Sequence, residues 1–170
     1  MLLGLAVASA PVRAEDSIVL IANAELAEPL ELSLPVLRQL FLGRRSSLEG
    51  MRIHCFEPPP GTTLRRAFAR LVLEHTERGL ERYWLEQALT GGPLPPRELP
   101  SEAELVRRVA ARRGALAYLG WEKLKQLPRD GVRVVPLRHE GRLLGPDDPA
   151  YPLRTRGTQE RDPAGRNDPG

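Results

Sequence analysis

The residues of this chain whose types and spacing suit a chemical role are Gly61, Thr62, Thr63 and Arg65. They follow a short apolar segment that begins at residue 52 and a run of three prolines, and they open a predicted helix. The first turn of a helix presents unpaired backbone N–H groups and a partial positive charge. Hydroxyl groups and an arginine at the same point add donors that suit an oxyanion. We therefore predict a candidate oxyanion site at these four residues.

The same residues also permit a purely structural interpretation. Thr62 can cap the helix, because threonine is a common N-cap residue. Arg65 and Arg66 can then lie on the solvent face and pair with acids such as Glu57. Spacing alone favours this interpretation over ligand binding, and both remain open at the level of sequence.

No other set of side chains has the spacing of a catalytic or metal-binding site. His54, His75 and His139 are scattered along the chain and lack a partner at helical spacing, so a structural or surface role is expected for them. Cys55 follows His54 directly, and neighbouring residues of a strand point to opposite faces, so the two cannot form a nucleophile–base pair. Cys55 is expected to be a buried strand thiol. The sequence predicts a protein that is not an enzyme and needs no metal or cofactor.

The composition is that of one soluble globular domain. The chain has 170 residues, of which 41% are hydrophobic and 28% are charged, and its formal net charge is +3. The basic residues are not interleaved with aromatics in a stripe, so nucleic acid is not an expected partner. The single cysteine excludes an internal disulfide.

The N-terminal segment, residues 1–14, resembles a secretory signal peptide. An apolar run is followed by Val12, Arg13 and Ala14, which predicts cleavage after Ala14 and a periplasmic location. The run is shorter than the ~20 apolar residues of a membrane span, so the chain is not expected to cross a membrane. An ordinary apolar N-terminus is the alternative.

The rest of the chain divides into residues 15–153, which carry apolar periodicity, and residues 154–170, which carry none. The latter segment is rich in arginine, aspartate, glycine and proline and is predicted to be a disordered tail. The former predicts an α/β domain, since strands alternate with helices.

Strands are predicted at 17–22, from 52, at 115–119 and at 132–137, and residues 44–50 are predicted to be a loop. Helices are predicted after Ser33, Thr62 and Ser101 and over 77–89, and Ser101 and Glu104 have the spacing of a capping box. The helix after Thr62 is expected to bury a stripe that includes Leu71, and the helix over 77–89 is expected to turn Leu80, Trp84 and Ala88 inward.

Four segments, in this order along the chain, resemble the periplasmic phosphate-binding proteins, the substrate-binding components of phosphate ABC transporters. The segments are SLPVLRQLFLG at 33–43, RGALAYL at 113–119, VRVVPL at 132–137 and YPL at 151–153. The resemblance implies the type II periplasmic binding protein fold, in which two lobes hold a ligand between them. Because this chain is much shorter, the expected fold is a mixed sheet flanked by helices that resembles one lobe.

The resemblance also bears on the candidate site. The family's anion motif falls on residues 62–65 and Phe68, where Thr62 retains a hydroxyl and Arg65 retains the arginine. Leu64 replaces a threonine of the family motif, Thr63 replaces a glycine, and Pro58 stands where the family has a second binding arginine. Tight phosphate capture by this chain alone is therefore not expected.

Two functions follow from these features. The first is an exported, non-enzymatic, solute-binding-like domain that binds phosphate or another oxyanion weakly, with an envelope transporter or receptor protein as its partner. The alternative is a protein-interaction module of the cell envelope that retains the scaffold and has lost ligand binding.

Overall fold

The computed structural model describes residues 17–26 and 32–155. The predicted signal peptide and residues 156–170 of the predicted tail lie outside the described residues. Arg154, where the predicted tail begins, forms an antiparallel bridge with Ser17. Within the described ranges, no helix is both long enough and apolar enough to cross a bilayer.

The described chain contains nine strands and five α-helices. The strands are β1 Ile18–Asn23, β2 Ser47–Leu48, β3 Met51–Arg52, β4 His54–Glu57, β5 Arg97–Glu98, β6 Ala115–Gly120, β7 Val132–Val135, β8 Leu137–His139 and β9 Arg142–Leu144. The helices are α1 Leu34–Phe41, α2 Thr63–Phe68, α3 Glu77–Thr90, α4 Glu102–Ala110 and α5 Trp121–Leu124, and a π-helical turn, Ala69–Leu73, continues α2.

Five strands form a mixed sheet in the order β5-β4-β6-β1-β7. Strand β4 runs parallel to both β5 and β6, whereas β1 is antiparallel to β6 and β7. Every residue of β1 and β6 is buried, because helices cover both faces of the sheet. The predicted mixed sheet flanked by helices is confirmed.

The sheet separates two hydrophobic cores. Leu20 and Tyr118 point to the face covered by α1, α2 and α3, while Val19 and Ala117 point to the face covered by α4 and α5. In the first core the ring of Tyr118 stacks on that of Phe68, with centroids 3.7 Å apart. This stacking ties α2 to the centre of the sheet, and so fixes the position of the loop that precedes α2.

Several local predictions are wrong. Residues 44–50, predicted as a loop, contain β2, which pairs with β3 in a hairpin. Leu71, predicted on the buried stripe of the second helix, is 39% exposed, because the π-helical turn shifts the helical phase and buries Leu73 instead. Ala88, predicted to face inward, is exposed, since the contact of α3 with the core ends at Trp84, after Leu80 and Tyr83.

Gly114 permits the close approach of two segments at the start of β4 and β6. Its φ is +74°, and a Cβ placed there would lie 2.2 Å from the backbone carbonyl oxygen of Arg52. The His54 backbone N–H donates to the Gly114 carbonyl oxygen at 2.9 Å. Glycine is therefore required both for the left-handed backbone and for the absence of a side chain.

Candidate functional site

The predicted site residues lie together in one loop at the carboxyl end of β4. This strand ends at Glu57, the prolines at 58–60 turn the chain, and Gly61 at φ +77° redirects it into α2. Ligands of α/β proteins commonly bind outside the carboxyl ends of the strands. The fold thus places the candidate oxyanion residues at an edge of the sheet that suits a ligand.

Thr62 is the N-cap of α2, as the structural interpretation proposes. Its Oγ1 accepts a hydrogen bond from the backbone N–H of Arg65 at 3.3 Å and donates to the carbonyl oxygen of Pro59 at 3.2 Å. The hydroxyl proton is therefore already used within the protein. Gly61 and Thr63 are exposed, so the backbone of the first turn remains open to solvent.

The guanidinium of Arg65 is held by two carboxylates. Its Nη2 lies 2.7 Å from Glu57 Oε1, and its Nη1 lies 2.7 Å from Glu98 Oε1. Nη1 also donates to the carbonyl oxygen of Pro58 at 3.4 Å. The side chain of Arg65 is only 13% exposed. Because two acids already engage it, Arg65 can contact an added anion only in competition with them.

Glu57 is the most unusual ionisable group of this edge. It is 2% exposed, and burial raises the pKa of its carboxyl to about 7, although Arg65 acts in the opposite direction. Glu98 adds a further upward contribution to that pKa. The buried Tyr118 hydroxyl interacts electrostatically with the Glu57 carboxylate. In the described part of the chain, this hydroxyl has no hydrogen-bond partner at the usual distance and angle. The protein environment therefore favours the protonated, uncharged form of Glu57 more than water does.

Arg66 does not pair with Glu57, contrary to the structural interpretation of the sequence. Its Nη1 donates to the carbonyl oxygen of Gly61 at 2.8 Å, and its Nη2 donates to Thr63 Oγ1 at 3.1 Å. Arg66 thus stabilises the loop through hydrogen bonds on its solvent-exposed side.

A cleft of about 500 Å³ adjoins this loop. Thr62 and Leu64 line one side, Ser101 and Glu102 at the start of α4 line the other, and Lys123 of α5 contributes the cation. Such a volume suits a small ligand. Most of the remaining lining is proline, alanine and leucine, so the cleft offers an anion few partners beyond the loop itself.

The other groups considered in the sequence do not join this site. His75 Nδ1 lies 2.8 Å from the Leu73 carbonyl oxygen, and both His54 ring nitrogens lie within 3.3 Å of Arg112 Nη2. Cys55 is half-buried at the edge of the first core. In residues 17–26 and 32–155 there is no cluster of three or more potential metal ligands.

Comparison with solved structures places this arrangement in a known fold. PstS from Borrelia burgdorferi matches with a TM-score of 0.57 at 12% identity, over 74% of this chain and 48% of that protein. A putative phosphate ABC transporter substrate-binding protein with bound phosphate, from Clostridium perfringens, matches with a TM-score of 0.56 at 16% identity, over 73% and 46%. An ABC-type phosphate transport receptor from Vibrio cholerae gives 0.54 at 13% identity, over 73% and 47%.

The described chain has the fold of one lobe of these phosphate transport proteins. It spans about half the length of the structures that it matches. No family model and no curated protein matches the sequence. The likeness therefore establishes the fold, and any ligand has to be inferred from the residues of this chain.

Sequence reasoning named Arg65 and, as its alternative partner, Glu57, but it missed Glu98 and Tyr118. For Glu57, the signal in the sequence is an acid at the end of an apolar strand, since a glutamate is rarely buried without a partner. Glu98 lies in a two-residue strand after a proline-rich turn, and its local sequence gives no indication of this role.

Proposed function

We propose that this chain is an exported, non-enzymatic domain of the solute-binding type that binds a small oxyanion weakly, from one side, at Gly61, Thr62, Thr63 and Arg65. Inorganic phosphate is the first candidate ligand, and an envelope transporter or receptor is the expected protein partner. The observation that carries this proposal is the Arg65 guanidinium at the carboxyl end of β4, held by Glu57 and Glu98.

The neighbouring loop supports the proposal by its geometry. The backbone at Gly61 and Thr63 is exposed, and Thr63 retains an exposed hydroxyl. The fold match includes a protein with bound phosphate. Export rests on the predicted signal peptide, residues 1–14.

The same contacts explain why the binding should be weak. An incoming anion meets a guanidinium that already has two carboxylate partners, and it approaches the negative charge of Glu57 when that group is ionised. The loop is exposed at Gly61 and Thr63, so the anion keeps much of its hydration, whereas closed sites bury most of a ligand's surface. Competition and incomplete burial both lower the affinity.

Titration calorimetry with sulfate tests this proposal, because sulfate remains a dianion between pH 6 and pH 8. We expect the affinity of the natural protein to be higher at pH 6, where more Glu57 is protonated. In Glu57→Gln we expect binding about tenfold tighter than in the natural protein at pH 8, a difference of about 1.4 kcal/mol, and little change with pH. Arg65→Lys should weaken binding in both backgrounds.

Phosphate is then titrated at pH 6 and pH 8 into the same proteins. An absence of heat with both anions, in Glu57→Gln as well as in the natural protein, would remove the oxyanion proposal. Tighter binding in Arg65→Lys than in the natural protein would also contradict it, since the guanidinium would then not be the contact.

An interaction module is the second candidate, and one observation favours it. Leu85 and Leu89, one helical turn apart on α3, are 61% and 78% exposed, and Leu94 in the following turn is 83% exposed. Apolar side chains grouped in this way are typical of contact surfaces. The second half of α3 has no buried residue, so the fold does not use this face.

Cross-linking in the envelope fraction tests this second candidate. A specific cross-linked partner should be lost in Leu85→Ser/Leu89→Ser and retained in Glu77→Gln, which alters an exposed residue on a different face of α3. Equal cross-linking of both variants would contradict a role for the leucines. A partner that is captured without any oxyanion binding would favour this candidate over the first.

A further inference from the structure

A second cavity lies away from the Arg65 loop, beside the amino-terminal end of β4. Its volume is about 480 Å³, within the range of small-molecule sites. It is surrounded by the first residues of β4, the segment that precedes β6, the turn after α1 and the proline-rich segment before β5. Because β4 and β6 are parallel, this end of the sheet is opposite the end that carries Arg65.

The cavity is lined by cations without counter-charges. Arg45, Arg52, Arg97 and Arg112 all line it, and no aspartate or glutamate does so in the described part of the chain. None of these four arginines forms an ion pair with another described residue. Arg112 faces His54 instead, which also lines the cavity. Several like charges around one concave surface produce a local field that attracts anions.

Burial and the neighbouring charges both act on His54. Burial lowers the pKa of its imidazole, and the positive charges of Arg112 and Arg52 lower it further. The ring therefore favours its neutral form, in which one nitrogen can still donate a hydrogen bond.

The floor and rim of the cavity are apolar. Phe41 and Phe56 are buried beneath it, and Leu94 stands on its rim. The turn after α1 contacts the rim closely at Gly43. A Cβ at this glycine, whose φ is +69°, would lie 2.6 Å from Cβ of Pro93. The turn after α1 and the proline-rich segment are thus packed together, which gives the cavity a defined wall.

We propose that this cavity binds a small organic anion, with a carboxylate or phosphate head at Arg52 and Arg112 and an apolar body against Leu94 and the prolines at 93, 95 and 96 of its rim. Guanidinium groups bind both head groups through paired, charge-assisted hydrogen bonds. Because these rim residues are accessible, covering them gives binding energy that a free inorganic ion cannot obtain. The site is distinct from the Arg65 loop and does not depend on the function proposed for that loop.

Titration calorimetry with the full-length protein measures binding directly. Octanoate and octyl phosphate are the two anionic arms, and octanol and inorganic phosphate are the controls for each half of the ligand. We expect at least one anionic arm to bind about fivefold or more tightly than either control, and the tighter arm identifies the head group.

Matched variants assign the effect to the cavity. In Arg52→Gln/Arg112→Gln, the dissociation constant of the tighter arm should rise about tenfold or more, as the loss of charge-assisted hydrogen bonds predicts. Arg113→Gln, an exposed neighbour that does not line the cavity, should leave it unchanged. Arg65→Lys should also leave it unchanged, which separates this site from the oxyanion loop. If the double variant does not fold, as judged by circular dichroism, Arg97→Gln replaces it.

Three results would overturn the proposal. The first is an absence of binding heat with both octanoate and octyl phosphate. The second is an equal affinity for octanol or for inorganic phosphate, which would mean that head and body do not act together. The third is an unchanged dissociation constant in the folded arginine variants, because the cations would then have no role.

Discussion

Replacing Glu57 by glutamine should remove a specific pH dependence from the stability of this protein. Burial raises the folded-state pKa of this carboxyl to about 7, whereas its ordinary value is 4.5. Between these two values the folded protein binds more protons than the unfolded chain. The free energy of unfolding therefore falls as pH rises from 4.5 to 7, and this contribution is constant at higher pH.

The size of the effect follows from the difference between the two pKa values. Each pKa unit corresponds to about 1.4 kcal/mol, so the contribution of Glu57 amounts to roughly 3 kcal/mol across the range. Arg65 lowers the cost of ionisation but does not remove it, because burial outweighs its effect and the charge of Glu98 adds to the cost. A change of this size is a large fraction of the stability of a typical domain.

Urea denaturation at several pH values between 4.5 and 8 measures the effect in the natural protein and in Glu57→Gln. Other groups also titrate in this range: the lowered pKa of His54 makes the folded protein less stable as pH falls below 6.5. Subtracting one protein from the other cancels that contribution. Glu81→Gln, which removes an exposed carboxylate of α3, controls for the loss of one charge.

The difference between the natural protein and Glu57→Gln should change by roughly 3 kcal/mol between pH 4.5 and pH 8, with the natural protein losing stability relative to the variant. A difference that stays constant within 0.5 kcal/mol, about the size of a typical surface effect, would refute the reasoning. The carboxyl would then have its ordinary pKa in the folded protein, and the Arg65 cluster would be open to solvent.

Three further substitutions test the contacts around the site, each measured by urea denaturation at pH 8. Arg65→Ala should cost about 3–5 kcal/mol, since it leaves the buried Glu57 carboxylate unpaired, and Arg65→Lys should cost less. Thr62→Ala should cost about 1 kcal/mol through loss of the N-cap, with Thr62→Ser close to the natural protein. Gly114→Ala should cost clearly more than Gly141→Ala, because both have positive φ but only Gly114 lies against another backbone segment. Equal losses for the two glycines would mean that the close approach at Gly114 has no energetic weight.

Much of the fold could be predicted from the sequence because its central elements have strong local signals. The continuous apolar runs that became β1 and β6 indicate strands covered on both faces, and both are fully buried. Ser101 caps α4 through the backbone N–H of Glu104 at 3.2 Å, as the spacing of these two residues predicts. Pro136 separates β7 from β8 because it has no N–H for the sheet.

The errors arise where a local pattern depends on a distant contact. Leu71 fits the helical stripe, but the π-helical turn that displaces it has no clear sequence signal. Ala88 fits the stripe of α3, yet the helix extends past the core. In the site, Arg65 and Glu98 are 33 residues apart, and only the parallel pairing of β4 with β5 brings them together.

The two candidate sites differ in how their arginines are balanced, and this difference determines what each can bind. At the carboxyl end of β4 the fold supplies its own anions, Glu57 and Glu98, so the charge of Arg65 is compensated before any ligand arrives. At the amino-terminal end four arginines line a cavity without a described acid. An anion that binds there displaces water alone and no carboxylate, so it does not have to compete with an existing ion pair. A lobe that resembles a phosphate-binding protein can therefore bind its strongest anionic ligand at the opposite end of the sheet from the site that the resemblance indicates.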